Sequence, residues 1–382
     1  MDRESISLLL DTIRRYVREK LVPLEAEVAE TSIVPESVLA DFRQMGLYGL
    51  TVPEEYGGLG LSVAEEVQAV IELTWASVAF RSAVSINLGV GSQCLVMDGT
   101  EEQKQEWLPK LAAGAVASFA LTEPGSGSDS AALITRAVRD GDDYVLNGTK
   151  RFITNAPVAD LITVMARTHP ERLPKNAHIT AFLIPAKTPG VRIGPKDKKM
   201  GQAGALSADV YLEDVRVPAR NILGGVEGRG FITAMKVLDR GRLNVAAMCV
   251  GQARRILNEA LTYSTQRKQF GKPIGEHQLV QAMLADSRAE LYAAQCMLAD
   301  AARRYDAGER ISLEASCCKM YASEMAGRVA DRAVQIHGGA GYMRDSPVER
   351  FYRDVRLFRI YEGTTQIQQI VIARELLRHG LD

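Results

Sequence analysis

The sequence predicts a multidomain α+β protein with a helical N-terminal domain, a central antiparallel β domain and a helical C-terminal domain. Its 382 residues exceed what one ordinary hydrophobic core accommodates, so more than one domain is expected. Apolar residues recur at helical spacing in both outer parts, whereas the middle contains short β-branched segments separated by turn residues. We predict domains at residues 1–117, 118–225 and 226–382.

Helical spacing is clearest near the N-terminus and along the last third of the chain. Long helical stretches are predicted at 287–306 and 313–334, and the glycine-rich segment 52–62 is predicted to connect two helices. One N-terminal stripe consists of Ile6, Leu9, Leu10, Ile13 and Val17.

The middle of the chain carries strand and turn signals. Segments such as "ADLITVMART" and "SADVYLEDVRVPAR" are rich in β-branched residues. Asp140-Gly141 predicts a hairpin turn, and Asn147-Gly148 predicts a second turn. The pattern therefore favours an antiparallel β domain over a βαβ array.

Composition excludes several classes of function. The 46 basic residues balance 47 acidic ones, so charge gives no case for binding nucleic acid or an anionic membrane. No apolar run approaches the roughly 20 residues that span a bilayer. The five cysteines lack pairing spacing, which indicates thiols in a reducing compartment. His337 has no second ligand at metal-binding spacing, so no metal site is predicted.

The N-terminal segment does not have the character of a targeting sequence. It carries Asp2, Glu4 and Asp11 and lacks a small-residue cleavage site. We therefore expect neither a signal peptide nor a transit peptide, and a cytoplasmic location in a bacterium.

Three glycine-containing loops are candidates for binding a ligand. "LTEPGSGSD", at 121–129, would let backbone N–H groups approach an anion or a polar ring edge, although Ser130 replaces the third glycine of the dinucleotide fingerprint. "RKQFGKPIGEHQ", at 267–278, is dense in hydrogen-bond donors, and "QIHGGAGY", at 335–342, ends a long helix on a glycine pair. Taken singly, each is as well explained by an ordinary loop, a solvated basic turn or a helix C-cap.

Glu362 occupies an unusual position in "RIYEGTTQIQ". Ile360 and Tyr361 precede it, Gly363 follows it, and an amphipathic helix begins directly afterwards. One interpretation is a surface carboxylate favoured by the helix dipole. The other is a general base whose pKa is raised by desolvation.

The combination of these motifs resembles the acyl-CoA dehydrogenase family over essentially the whole chain. "LTEPGSGSD", "RFIT", "RKQFGKPIGEHQ", "QIHGGAGY" and "YEGTTQIQ" occur in this order. The resemblance implies a C-terminal four-helix bundle, FAD as cofactor, and oxidation of an acyl-CoA thioester to trans-2-enoyl-CoA in fatty acid β-oxidation. It also implies a homotetramer, built as a dimer of dimers, that passes electrons to an electron-transfer flavoprotein.

The resemblance also assigns roles to particular residues around FAD. The segment 119–128 would bind the flavin, and "FIT", at 152–154, would lie against its ring. Family members often have Trp where this chain has Phe152, which is still a planar aromatic. Arg267 would face the FAD pyrophosphate of a neighbouring subunit, and Thr364 and Gln366 would offer a helix N-terminus to phosphate. The implied cofactor-binding residues are Phe119, Leu121, Thr122, Gly127, Ser128, Phe152, Ile153, Thr154, Arg267, Gln269, Phe270, Gln278, Gln335, Gly338, Gly339, Thr364 and Gln366.

By the same resemblance, Glu362 is the catalytic base that removes the proton α to the thioester carbonyl, while flavin N5 accepts the β-hydrogen as hydride. Some relatives place the base near "LDRGRLN", where this chain has Gly241, which has no side chain to serve. The remaining implied substrate-binding residues are Ser128, Asp239, Arg242 and Gly363. An Asp239–Arg242 ion pair would be compatible with that role.

Arg81 lies in an apolar helical stretch, "FRSAVS", where an unpaired charge is costly. The segment resembles the one with which glutaryl-CoA dehydrogenases hold a distal carboxylate of the substrate. The alternative is an arginine paired with a protein carboxylate. The sequence therefore does not determine whether the acyl group of the substrate carries a distal carboxylate.

Two further alternatives share this fold. One is an oxidase or monooxygenase that exposes reduced flavin to oxygen, and the other is a non-catalytic scaffold. Glu362, Arg267 and the glycine-rich loops are intact, which counts against the scaffold.

Overall fold

The computed structural model describes residues 2–169 and 178–380. It confirms the order of a helical region, a β region and a second helical region. The N-terminal helices are α1 Arg3–Tyr16, α2 Val22–Thr31, α3 Glu36–Gln44, α4 Val63–Leu73, α5 Val78–Leu88, α6 Val90–Asp98 and α7 Glu101–Ala112. The C-terminal helices are α8 Gly230–Gln266, α9 Gln278–Asp306, α10 Ser312–His337, α11 Pro347–Val355 and α12 Thr365–His379.

The central region is a single sheet whose strands run in mixed directions. Its strands are β1 Ala117–Ala120, β2 Arg136–Asp140, β3 Asp143–Thr154, β4 Leu161–Arg167, β5 Ile179–Pro185, β6 Val191–Lys196 and β7 Ser207–Pro218. The β2–β3, β3–β7, β6–β7 and β4–β5 pairs are antiparallel, as predicted. β1 instead pairs parallel with β4, and β2 joins β4 in parallel through one residue pair. The sheet is therefore only partly antiparallel, because the β2–β3 hairpin lies in the crossover that a parallel pair requires.

One of the two predicted turns is confirmed and the other is wrong. Asp140 pairs with Asp143 across the β2–β3 hairpin, and Gly141 has the left-handed φ of 65° that the turn needs. Gly148 lies inside β3, where the register with β7 shifts between Leu146 and Gly148. A Cβ at Gly148 would lie 2.3 Å from Thr135 Oγ1, so this glycine permits close packing at a bulge rather than a turn.

The two helical regions are joined by contacts between α4, α8 and α9. Asp306, the last residue of α9, accepts hydrogen bonds from the free N–H groups of Val63 and Ala64 at 2.8 Å each. This carboxylate therefore satisfies donors at the start of α4 and complements its dipole. Gln252 of α8 is fully buried and donates to the backbone carbonyls of Thr74 and Ala76 at 2.6 and 2.7 Å. The region bearing Arg81 is thus fixed against the helix bearing Gly241.

A short two-stranded hairpin follows α8. Its strands are β8 Lys268–Gln269 and β9 Lys272–Pro273, which pair antiparallel. Within the two described ranges, no helix combines the length and apolar character that crossing a bilayer requires.

The approach of α4 to α8 depends on a glycine, which gives a test of the fold. A Cβ at Gly251 would lie 2.1 Å from Thr74 Oγ1 and 2.6 Å from the Ile71 carbonyl oxygen. We expect Gly251→Ala to lower the free energy of unfolding by about 1–3 kcal/mol, because overpacking forces the helices apart. Denaturant unfolding of the FAD-loaded protein measures the change.

The matched control is Gly327→Ala, in the middle of α10. A Cβ there would meet only Arg359 Cδ, at 3.9 Å. Alanine has the higher helix propensity, so this variant should be as stable as the parent or more stable by roughly 0.5–1 kcal/mol. Equal effects of the two substitutions would contradict the close helix approach at Gly251.

Candidate functional site

Glu362 lies in a strained turn just before α12, with its carboxylate against α8. Glu362 and Gly363 both adopt left-handed φ angles, 54° and 86°. The position that a Cβ would take at Gly241 is 3.1 Å from Glu362 Oε2. The absence of a side chain at Gly241 therefore leaves room for the carboxylate, and the two alternative family positions of the base are adjacent in space.

The environment of the Glu362 carboxylate favours the interpretation as a base. Oε2 is buried and has no hydrogen-bond partner. Burial raises the pKa of the carboxyl, and the nearby cations Arg242, Lys319 and Arg81 lower it without cancelling the effect of burial. The net rise means that Glu362 is not an ordinary surface carboxylate.

Asp239 and Arg242 form the ion pair that the sequence allowed. Arg242 Nη1 donates to Asp239 Oδ1 at 2.5 Å, and Ser312 Oγ donates to Asp239 Oδ2 at 2.6 Å. Arg242 Nε is buried without an acceptor. The pair fixes the guanidinium and leaves one donor unused beside Glu362, which is compatible with contact to a substrate.

Arg81 has no carboxylate partner in the part of the chain that the structure describes. It is 5% exposed, donates to Asn244 Oδ1, and its buried Nε has no acceptor. Burial lowers its pKa, as expected for a cation in apolar surroundings. Asn244 in turn donates to Glu66 at 2.7 Å, and Glu66 is paired with Arg240 at 2.7 Å. The predicted alternative, an Arg81–carboxylate ion pair, is therefore not found among the described residues.

The two segments predicted to bind the flavin are neighbours. β1 leads into the loop 121–129, whose Glu123 forms a fully buried ion pair with Lys150 of β3 at 2.7 Å. The backbone N–H of Arg151 donates to the Thr122 carbonyl at 2.9 Å. A buried ion pair and a backbone hydrogen bond thus fix the loop to the start of "RFIT".

The surface between these segments fits a planar aromatic ligand. Phe152 has a left-handed φ of 59° and is 58% exposed, with the Arg151 guanidinium 4.7 Å from its ring centre. Non-glycine residues adopt such φ angles at a cost, and functional sites are where they concentrate. Nothing lies within 4 Å of a Cβ at Gly127, so the backbone there is open to a ligand. Phe119, Leu121, Thr122 and Thr154 are half-buried, Gly127 and Ser128 are exposed, and Ile153 is buried.

Hydrogen bonds link the segment around Phe152 to β1 and to α5, the helix that carries Arg81. Ser118 Oγ donates to the Thr154 carbonyl at 2.8 Å, and Asn155 Nδ2 donates to the Ser82 carbonyl at 3.1 Å. Ser82 follows Arg81 on α5. Arg81 is in turn close enough to Glu362 for its charge to lower the pKa of that carboxyl, so these segments lie near one another.

The residues predicted to bind the distal part of FAD form a second group at the far end of the bundle. Tyr263 stacks on His337 with ring centres 4.2 Å apart, which joins the C-terminal ends of α8 and α10. Within residues 2–169 and 178–380, no hydrogen bond or ring contact links this group to Glu362. Its members Arg267, Gln269, Phe270, Gln278, Gln335, Gly338 and Gly339 are exposed.

The start of α12 directly follows the Glu362–Gly363 turn. Thr364 is the N-cap residue, and its hydroxyl accepts from the Ile367 N–H at 3.2 Å. Gln366 is exposed in the first turn. Their assignment to FAD, like the other residue roles above, stays a prediction.

Sequence reasoning missed two buried polar residues that hold the turn at Glu362. Lys319 of α10 donates to the Gly363 carbonyl at 2.6 Å, and Gln368 of α12 donates to the carbonyls of Glu362 and Gly363 at 3.0 and 3.1 Å. Lys319 occupies the buried stripe of α10, between Ser316 and Ser323. The signal in the sequence that could have identified Lys319 is a lysine among the small and apolar residues of one helix face.

Comparison with known proteins identifies relatives over the full length of the chain. Three family profiles match in sequence: acyl-CoA dehydrogenase N-terminal domain at residues 3–115, middle domain at 118–215 and C-terminal domain at 228–377. The 3-(aryl)acrylate reductase of Clostridium sporogenes is 41% identical over 98% of this chain and 99% of its own length. The cyclohexane-1-carbonyl-CoA dehydrogenase of Geobacter metallireducens is 39% identical over 99% of this chain and 98% of its own length.

Solved structures match equally well. A chain in the structure of the electron transferring flavoprotein of Acidaminococcus fermentans superposes with a TM-score of 0.95 at 39% identity, covering 99% of this chain and 100% of that chain. Butyryl-CoA dehydrogenase from Megasphaera elsdenii gives a TM-score of 0.95 at 36% identity with the same coverage. A glutaryl-CoA dehydrogenase in complex with glutaryl-CoA gives 0.93 at 31% identity, covering 99% of this chain and 96% of that chain.

Proposed function

Because this chain belongs to the acyl-CoA dehydrogenase family, and is thus an FAD-dependent oxidoreductase acting on acyl-CoA, we propose that it converts an acyl-CoA thioester to trans-2-enoyl-CoA with Glu362 as the base. The observation that carries the proposal is the Glu362 carboxylate. It has a buried oxygen without a partner, a raised pKa and a position directly against Gly241. A carboxylate whose pKa is raised by burial is a stronger base than a solvated one.

Different residues of this chain would transfer the proton, stabilise the oxyanion and hold the cofactor. Glu362 accepts the proton from the carbon α to the thioester carbonyl, and its own backbone N–H is suited to donate to the oxyanion that develops. FAD, when bound, would supply the two-electron acceptor for the hydrogen that leaves the β-carbon as hydride. The loop 121–129 and the segment 152–154 would hold and orient the isoalloxazine ring, while the dry surroundings of Oε2 keep water from the base.

The reaction direction follows from the electron partner rather than from the base. Some relatives are called dehydrogenases and others reductases. The same Glu362, when protonated, would return the α-proton in the reductive direction, because forward and reverse reactions share one transition state. We propose the oxidative direction, in keeping with the relatives named dehydrogenases. We also propose an electron-transfer flavoprotein as the electron partner, supported by the match to the Acidaminococcus fermentans structure and by a relative named as a subunit of a caffeyl-CoA reductase–Etf complex.

Glu362→Gln tests the proposed base. Glutamine keeps the size of the side chain but cannot accept the proton, so flavin reduction by a good acyl-CoA substrate should fall by at least about 10²–10⁴-fold. Stopped-flow bleaching of the flavin measures the rate, and FAD and acyl-CoA should still bind.

A second variant places a carboxylate at position 241, on the α8 side of the contact between Glu362 and Gly241. Gly241→Glu in the Glu362→Gln background should recover part of the rate, since the two positions are adjacent. A Glu362→Gln protein that reduces its flavin at the parental rate would rule out Glu362 as the base.

A second candidate function is supported by Arg81. Its buried Nε has no acceptor, and no carboxylate pairs with it among the described residues. A substrate with a distal carboxylate would supply the missing anion, as in a dehydrogenase of dicarboxylyl-CoA of the glutaryl type. The similarity to a glutaryl-CoA dehydrogenase complex is in keeping with this candidate.

Arg81→Met separates the two candidates. Dicarboxylyl-CoA turnover should lose about 2–5 kcal/mol of transition-state stabilisation, because a buried charge partner is removed. Turnover of a plain acyl-CoA of similar length should change little at a pH above the acidic limb of the rate. Equal losses on both substrates would indicate a structural arginine.

We further propose a homotetramer in which Arg267 and Gln278 bind the FAD of a neighbouring subunit. Both are exposed in the single chain, and they lie close to Phe270, which is 93% exposed. A cofactor bound by the assembled form stabilises that form.

Arg267→Ala should therefore weaken FAD retention and assembly together. FAD content by absorbance and mass by light scattering measure the two properties on the same sample. Arg303→Ala, which removes an exposed arginine from α9, serves as the control. An Arg267→Ala protein that is monomeric yet fully loaded with FAD would contradict the shared site.

A further inference from the structure

Lys319 is a buried lysine whose role the proposed reaction leaves unexplained. Its side chain has no exposed surface, and Nζ donates to the Gly363 carbonyl at 2.6 Å. No carboxylate lies within ion-pair distance of it in the part of the chain that the structure describes. Burial lowers its pKa to about 8. A buried charge without an ionic partner is costly, so a specific function for it is expected.

The carbonyl that Lys319 contacts belongs to the strained turn that carries the base. Glu362, a non-glycine residue, has a φ of 54°, a conformation that persists only where surrounding contacts enforce it. Gln368, with no exposed surface, donates from one Nε2 to the carbonyls of Glu362 and Gly363. A Cβ at Gly363 would lie 2.5 Å from that Nε2, so only glycine permits this contact.

We propose that Lys319 and Gln368 are positioning residues for the base: together they hold the Glu362–Gly363 turn, and the Lys319 charge additionally favours the ionised form of Glu362. This inference rests on the proposed role of Glu362. The two residues share the contact to the Gly363 carbonyl, whereas only Lys319 brings a charge. Their functions can therefore be separated by substitution.

The charged and titratable groups around Lys319 leave its ammonium as a cation directed at the turn. Cys249 and Arg242 face it from α8, Glu324 lies on its own helix, and Glu362 faces it from the segment before α12. Burial raises the pKa of the Cys249 thiol, which keeps that group neutral. Arg359 Nε and the Thr365 hydroxyl already donate to Glu324, at 2.8 and 2.7 Å.

The effect of the Lys319 charge on Glu362 has a definite sign. Lys319 lowers the pKa of the Glu362 carboxyl, opposing the rise caused by burial. Lys319, whose own pKa is lowered by burial to about 8, is a cation below that pH. Without this charge the pKa of Glu362 rises further, and a smaller fraction of the enzyme carries an ionised base at a given pH.

The experiment compares the pH dependence of flavin reduction in Lys319→Met and Gln368→Met. Lys319→Met should move the acidic limb of the rate to higher pH by about 1–3 units, the size of effect produced by one nearby opposite charge. Gln368→Met removes hydrogen bonds without changing charge. Its rate should therefore fall at every pH while the limb stays in the parental position.

Controls distinguish this mechanism from general damage. Lys110→Met removes one positive charge from an exposed position on α7 and should retain the parental rate and limb. Lys319→Gln keeps a donor but not the charge, so it should shift the limb with a smaller loss of the maximal rate, and it replaces Lys319→Met if that variant does not fold. Acyl-CoA binding, measured by titration, should be unchanged in all variants.

The outcomes separate this inference from the proposed function. A Lys319 variant with the parental acidic limb, or Gln368→Met with the parental rate, would overturn the positioning roles while Glu362→Gln still loses activity. A Glu362→Gln protein that keeps the parental rate would remove the proposed base itself.

Discussion

The contact between the Glu362 carboxylate and α8 at Gly241 is the constraint on which the rest of the site depends. A carboxylate can lie there only because residue 241 has no side chain, and it reaches that position only through a left-handed turn. The turn in turn requires a glycine at 363 and donors for two backbone carbonyls. The position of the buried Glu362 oxygen thus explains why α8 has a glycine at 241 and why Lys319 of α10 and Gln368 of α12 contact the turn.

The same contact explains the charge distribution around the site. Three buried cations, Arg81, Arg242 and Lys319, influence Glu362, and two of them have an Nε with no acceptor. Such an excess of unsatisfied donors is unfavourable in a finished protein core. It suits a site where a ligand brings negative charge or where an oxyanion develops during the reaction, since preorganised donors then act in dry surroundings. Arg242 donates to Asp239 and to Ser316, whereas Arg81 donates only to Asn244 among the described residues. Arg81 is therefore the freer of the two arginines for a distal substrate group.

Buried polar contacts outside the site fix the relative positions of the segments that form it. α5 carries Arg81 and α8 carries Gly241 and Arg242, and they are fixed relative to each other by Gln252 and by the Asp306 cap on α4. The buried Lys150–Glu123 pair plays the corresponding role in the β region, where it fixes the loop beside Phe152. By contrast, the group around Arg267 is exposed on one chain, together with Phe270 and Tyr342, which are 93% and 84% exposed. The region around Glu362 is buried and internally bonded, whereas the group around Arg267 is exposed. Such exposure is expected of residues that bind a ligand together with a second subunit.

The sequence by itself determined the features that depend on local chemistry. Periodicity predicted the α, β, α order, the Asp140-Gly141 pair predicted a hairpin, and the order of five motifs identified the family and the candidate base. The Asn147-Gly148 turn was wrong because the need for glycine at 148 comes from Thr135, which lies just before β2 and packs against Gly148. Only the tertiary structure shows the parallel β1–β4 pair, the absence of an ion-paired carboxylate at Arg81 among the described residues, and the contacts of Lys319 and Gln368 with the Glu362–Gly363 turn. Each depends on which groups meet after folding, as Lys319 and Gly363 do across 44 residues of chain, and burial and pKa follow from those meetings rather than from neighbours in sequence.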